Sequence, residues 1–253
     1  MKLFYRELGE GKPLVILHGL FGSSDNWLSI GKILAENHHV YLLDQRNHGQ
    51  SPHSCNFTYE AMAEDLSLFL KEHQVHKPTI MGHSMGGKVA MQFATSWPEL
   101  LNDLIVVDIA PKSYPVHHDG ILEGLVNIDL NNLKTRSDAN EQLSGYVKDN
   151  GIRQFLLKNL TRTDEGFAWK INLPVIKEEI QEVGVGLDES QVYQGRTLFI
   201  RGEKSNYIND EDRAALSKHF PNSTLETIEK AGHWLHAEQP ALFLGVVQKF
   251  LTP

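Results

Sequence analysis

A single cysteine, Cys55, stands among 253 residues, so no disulfide can close within the chain, and the composition fits a reducing compartment. Basic residues are in the minority. The 24 Lys and Arg face 32 Asp and Glu, for a net charge of −8. A nucleic-acid partner is excluded, because phosphate binding needs a basic surface. No apolar run approaches the ~18 uncharged residues of a membrane-spanning helix, so no membrane partner is expected. The opening segment MKLFYRELGEGK is charged and lacks the apolar stretch of a secretory signal. A cytoplasmic location is the expectation. Phosphate loops of the types G-x-x-x-x-G-K and G-x-G-x-x-G are missing. There is no HExxH helix and no Cys/His ligand spacing. The doublets His38-His39 and His117-His118, and the pair His233 and His236, are therefore not read as metal ligands. No cofactor is expected. No internal repeat or low-complexity tract is present. With 41% hydrophobic and 22% charged residues, the chain has the composition of an ordinary globular protein.

Short apolar runs alternate with helical stripes. Leu14–Leu17, His39–Leu43, Thr79–Gly82, Leu104–Val107, Thr197–Ile200 and Leu225–Ile228 read as strands. Between them come helices. One is capped by Ser23 or Ser24, with Trp27, Ile30 and Leu34 on a face. Thr58 caps the next, which carries Met62, Leu66, Phe69 and Leu70. Others span Met85–Ser96 and Asp210–His219, and the last begins near Pro240. Strands that are apolar throughout and alternate with helices predict an α/β fold, a mostly parallel sheet covered on both faces. Residues 113–190 break this rhythm. They are rich in Asn, Asp and Lys, and carry a helical stripe at Ile152, Phe155, Leu156 and Leu160. The reading is a core of 1–112 and 191–253, with 113–190 a mostly helical insertion over one end of the sheet. Residues 191–253 are too few to build such a sheet alone.

The strongest chemical signal is Gly82-His83-Ser84-Met85-Gly86. A buried strand ends at Gly82 and a helix starts at Met85, the setting of a nucleophile elbow. There a serine sits on strained backbone so that its hydroxyl projects clear of the sheet. The flanking glycines leave room for close backbone approach. A serine hydroxyl needs a base. In elbow sites the order along the chain is Ser, then Asp or Glu, then His. Among 13 histidines this selects His233, directly after the last strand. His236 is the rival, nearly one helical turn further on. The oxyanion requires two donors. The N–H of Met85 and that of Leu20, in the His18–Gly22 loop, are assigned, with Phe21 the near alternative to Leu20. In the loop after Leu43, Asp44 and Arg46 read as an internal pair that shapes the site.

HGLFG at 18–22, DQRNHGQS at 44–51, GHSMGGK at 82–88, VVDIAP at 106–111 and AGHWLHAEQP at 231–240 together resemble the α/β-hydrolase superfamily. Within it they are most similar to the small bacterial esterases of the YbfF type. The resemblance covers both core segments and weakens across 113–190. It implies cofactor-free hydrolysis of carboxylic esters in the cytoplasm, and leaves acyl-CoA thioesters open as substrates. In one respect the chain departs from many relatives, which place the acid of the triad in a G-x-x-D-like turn after the strand that follows the insertion. Here that turn reads Arg201-Gly202-Glu203-Lys204-Ser205, with serine where aspartate is expected. Asp108, ending the preceding strand, is assigned as the acid. Glu203 lies two positions early, and Asp210 reads as a cap of the following helix. The expected activity is hydrolysis of a small-molecule ester, favouring small or medium acyl groups. The alternatives are acyl transfer, C–C hydrolysis or cofactor-free perhydrolysis on the same scaffold, or a non-catalytic binding protein.

Overall fold

The computed structural model describes residues 1–252. The chain opens with β1 (Tyr5–Leu8) and β2 (Lys12–Leu17). A single 3₁₀ turn at Ser24–Trp27 then leads into α1 (Leu28–Leu34) and β3 (His38–Leu43). Next come α2 (Tyr59–Glu72), β4 (Thr79–His83), α3 (Met85–Ser96) and β5 (Asp103–Val107). The segment after β5 carries α4 (Asp119–Val126), α5 (Arg136–Ser144) and α6 (Asn150–Leu157). It continues with β6 (Leu160–Thr163), β7 (Gly166–Trp169) and α7 (Leu173–Glu178). The chain then returns through β8 (Thr197–Gly202), α8 (Arg213–His219), β9 (Ser223–Ile228), α9 (Leu235–Glu238) and α10 (Pro240–Leu251).

Seven strands form one sheet in the order β1-β3-β2-β4-β5-β8-β9. All neighbours run parallel except β1, which pairs antiparallel with β3 at one edge. Alternation along the strands divides the core in two. Val15 and Leu17 of β2 and Leu104 and Val106 of β5 face a cluster with Leu66 and Phe69 of α2 and Val89 and Phe93 of α3. Leu14, Ile16, Ile105 and Val107 face the other layer, with Trp27, Phe243 and Val247. This is the α/β architecture read from the sequence. Among the described residues no helix is long and apolar enough to cross a membrane.

Two elements differ from expectation. β1 reads YREL, too polar and too short to signal a strand; it forms because the free edge of β3 accepts it. The β6–β7 hairpin stands inside the segment read as mostly helical, and neither strand carries a buried alternating face. Asp210 is not a cap. It pairs with Arg201 at 3.0 Å, while Asn209 and Asp212 form the capping box ahead of α8.

Candidate active site

Two adjacent strands deliver two side chains to one place. β4 and β5 are in register with His83 opposite Val107, and β5 and β8 with Val107 opposite Ile200. Ser84 N–H donates to Val107 O at 3.0 Å and Asp108 N–H to Ile200 O at 2.8 Å. The ladder thus runs one residue beyond each strand, and both residues then leave it with positive φ, 52° at Ser84 and 53° at Asp108. That conformation costs a non-glycine residue of order 1–3 kcal/mol and persists only where its surroundings impose it. At Ser84 they do so by close packing. A Cβ on Gly82 would lie 2.1 Å from Gly86 O, and one on Gly86 would lie 2.5 Å from Leu17 O. Only glycine fits either position. The turn feeds α3, whose N-terminus carries the positive end of its dipole toward Ser84.

Asp108 is fully buried, and each carboxylate oxygen is bonded. Oδ1 accepts from Gly202 N–H at 3.0 Å; Oδ2 accepts from Ser205 Oγ at 2.5 Å and lies 2.7 Å from His233 Nδ1. Ser205, which cannot replace a carboxylate, thus donates to one. The sequence offered a signal for this, since the hydroxyl stands where the resemblance to the superfamily led an acid to be expected.

His233 lies between β9 and α9 on a braced loop. The Glu238 carboxylate accepts Gly232 N–H at 2.8 Å and Trp234 N–H at 3.2 Å, one on each side of the histidine. His83 Nε2–H donates to the His233 carbonyl at 2.8 Å. The Tyr207 ring stacks on the imidazole, with centroids 4.1 Å apart. None of these supports was assigned from the sequence. His236 sits elsewhere, stacked on Trp27 at 4.1 Å, and burial lowers its pKa to about 3. Ser84 and His233 line the same cavity, with no hydrogen bond between them among the described residues.

The loop carrying Leu20 is held by two buried imidazoles. His18 Nδ1–H donates to Gly19 O at 2.8 Å, and its Nε2 accepts Gln45 N–H at 3.0 Å. His48 Nδ1–H donates to Arg46 O at 2.9 Å, and its Nε2 accepts Phe21 N–H at 3.2 Å. Burial lowers the pKa of His18 to about 4 and that of His48 to about 3, so both rings are neutral at pH 7. The Phe21 amide is therefore engaged. The amides of Leu20 and Met85 have no acceptor among the described residues, and both residues line the cavity. Phe21 O is also held, by the buried Asn159 side chain between α6 and β6 at 2.7 Å.

Asp44 and Arg46 do not pair. The Asp44 carboxylate accepts Ser24 N–H at 2.6 Å and Gln50 N–H at 2.8 Å. Arg46 turns instead to Asp65 of α2 at 2.7 Å and to Ala61 O at 2.8 Å. A carboxylate filled by backbone donors leaves no place for the guanidinium, which finds its partners on the helix. The loop still supports the site, through Gln45 and His48.

The cavity measures about 300 Å³. Its floor is formed by Ser84, Met85, Leu20 and His233. The segment between β5 and β8 supplies an apolar roof that includes Val116, Ile121, Ile152, Phe155 and Val183.

Residues 12–240 match the family described as alpha/beta hydrolase fold, and the chain belongs to that family. It is 39% identical to an sn-1-specific diacylglycerol lipase, ABHD11, of Danio rerio, over 97% of this chain and 80% of that protein. It is 35% identical to the esterase YbfF of Escherichia coli, over 95% of this chain and 93% of that protein. Among solved structures, a marine microorganism esterase superposes with a TM-score of 0.96 at 44% identity, covering 98% of this chain and 99% of the other.

Proposed function

We propose that the protein is a serine hydrolase that cleaves carboxylic esters through an acyl-enzyme on Ser84. The observation that carries this reading is the bond from His233 to buried Asp108, beside a cavity shared with a serine on a strained strand-to-helix turn. Relatives named esterase and lipase support the same class of reaction. In this reading 113–190 is a cap domain inserted into the core of 1–112 and 191–253.

Ser84 Oγ attacks the acyl carbonyl as His233 Nε2 takes its proton. Asp108 holds the Nδ1–H and stabilises the imidazolium. The oxyanion accepts from the N–H groups of Leu20 and Met85. Collapse breaks the C–O bond, and His233 returns the proton to the departing alcohol. Water, deprotonated by His233, then attacks the acyl-enzyme, releases the acid and restores Ser84. A cavity near the low end of the 300–1,000 Å³ usual for ligand sites favours small or medium acyl groups.

An activated organophosphonate tests the nucleophile. It is expected to add one phosphonyl group, mapped by peptide sequencing to Ser84. Ser84→Ala should lower kcat by several powers of ten on p-nitrophenyl esters. Labelling of a different serine, or an unlabelled protein beside a labelled esterase control, would overturn the assignment. Rates that keep rising to long-chain esters would contradict the expected acyl size.

A further inference from the structure

Lys88 lies on α3, one helical turn after Ser84, and its N–H donates to Ser84 O at 3.1 Å. Its side chain is 2% exposed, and it is among the largest fully buried side chains in the protein. The proposed reaction gives it no task. Its partners are carbonyls rather than a carboxylate. Nζ donates to Lys112 O at 2.5 Å and to Val185 O at 2.9 Å. The ammonium also lies 5.2 Å from the centre of the Tyr114 ring. Burial, with the like charge of Lys112 nearby, pulls its pKa down to about 7. A cation in such a place gains nothing from hydration, and an apolar side chain of similar volume could fill the space.

The two carbonyls identify what the cation joins. Lys112 is on the strand of chain entering the inserted segment, and Val185 is on the strand leaving it. These stems are paired with each other. Tyr114 N–H donates to Gly184 O and Leu187 N–H to Pro111 O, each at 2.8 Å, and Gly186 N–H donates to Ser113 Oγ at 3.1 Å. They fit too closely for a side chain at Gly186, where a Cβ would lie 2.6 Å from Ser113 N. From the stem, Tyr114 reaches back to the site. Its hydroxyl donates to Tyr207 O, and Tyr207 stacks on His233. One ammonium therefore ties both ends of the insertion to the helix that begins at the serine.

We propose that Lys88 is a positioning residue that clamps both stems of the inserted segment to α3, fixing the apolar roof of the cavity over Ser84 and so setting which acyl groups bind. This rests on the esterase reading, but the clamp has a readout that does not need catalysis. Two carbonyls take two of the three ammonium donors, and the aromatic face takes charge rather than a hydrogen bond. Methionine at 88 would keep the volume and lose both donors. The stems would then lose their anchor on α3, their pairing with each other would open more often, and the roof would move against the floor. A short acyl group needs only the floor. A longer one needs the roof as well.

The experiment compares wild type with Lys88→Met, Lys88→Arg and Gly186→Ala, the last prying the stems apart while leaving Lys88 in place. On p-nitrophenyl hexanoate, Lys88→Met should raise KM about tenfold, with kcat on p-nitrophenyl acetate within about twofold of wild type. Lys88→Arg, which keeps the donors, should recover most of the hexanoate KM. Hydrogen exchange is followed at the amides of Tyr114, Gly186 and Leu187. They should exchange about tenfold faster in Lys88→Met, while amides of β4 and β5 are unchanged. Gly186→Ala, which parts the stems directly, should reproduce both effects, and Lys88→Leu takes the place of Lys88→Met if that variant fails to fold. Unchanged stem exchange in Lys88→Met, or in Lys88→Leu where it stands in, would overturn the clamp. So would an equal loss of kcat on both esters with KM unaltered. A wild type inactive on both esters would overturn the esterase reading, with the exchange arm still deciding the clamp.

Discussion

At the scale of single residues, the site is a set of groups each deprived of its alternatives. Asp108 can neither rotate nor reach solvent, because Gly202 and Ser205 hold its oxygens and its backbone sits at positive φ. Asp108→Asn keeps the shape but presents an amide to His233, so the imidazole loses its charged partner and its preferred tautomer. Steady-state assays should show kcat falling toward the ~10⁴-fold reported for this change in a serine protease triad, with the melting temperature little altered. Ser205→Ala removes one donor and leaves Gly202 in place, so a much smaller fall, about tenfold in kcat, is expected. An Asp108→Asn enzyme near wild-type rate, beside an inactive Glu203→Gln, would move the acid to the turn after β8. His48→Phe tests the other side of the site. It preserves ring volume and frees the Phe21 amide, loosening the loop that presents the Leu20 N–H. The expected result is a drop in kcat of about tenfold or more with KM nearly constant, since in the proposed mechanism the weakened interaction is made to the oxyanion. An unchanged kcat would show that His48 serves stability alone.

At the scale of elements, the elbow is a packing solution before it is a chemical one. The β4–α3 turn closes only because Gly82 and Gly86 touch, and Gly86 also lies on the backbone of β2. Gly82→Ala should therefore fail to give stable soluble protein, or melt far below wild type. A normal melting curve would mean that the turn can open. This part of the molecule was legible in the sequence, since apolar strands, paired glycines and a helix start leave a signature within a few residues. The placement of Asp108 opposite the turn after β8 was legible too, through a serine standing where the resemblance led a carboxylate to be expected. Other features were not. β1 owes its strand to a neighbour's free edge, and YREL has no apolar alternation of its own. Arg46 was read as pairing with Asp44 because the two are close in sequence. Asp44 is satisfied instead by the Gln50 amide of its own loop and by the Ser24 amide, which comes from a segment that no local pattern links to it. The supports of His233 are of two kinds. Glu238 is local, a few residues from the Gly232 and Trp234 amides it accepts. His83 and Tyr207 come from distant stretches of chain and meet the histidine only once the sheet has formed.

At the scale of the whole molecule, the histidines make stability depend on pH. His18, His48 and His236 are buried, and burial holds them at about 4, about 3 and about 3. Unfolding exposes all three, and each then binds a proton near pH 6.5. Between 6.5 and the folded values the unfolded chain holds more protons than the native protein. Stability therefore rises with pH through this window and is lost as the solution is acidified. Above 6.5 neither state carries these protons, and their effect is flat. At pH 5 the preference is worth about 2 kcal/mol per ring. His236 offers the clearest test. It stacks on Trp27 with its ring nearly parallel, and its Nδ1 is buried without a hydrogen-bond partner among the described residues. His236→Phe keeps an aromatic ring on Trp27 while removing both the orphaned nitrogen and the proton uptake on unfolding. The variant should melt at or above the wild-type temperature at pH 7. For a chain of this length about 1 kcal/mol moves the midpoint by roughly 2–4 °C. On acidification from pH 7 to pH 5 the variant should thus retain about 5 °C that the wild type loses. Calorimetric melts across that range read the difference directly. Parallel curves for the two proteins would show that His236 already takes up its proton in the folded state, and that the acid sensitivity lies with other groups.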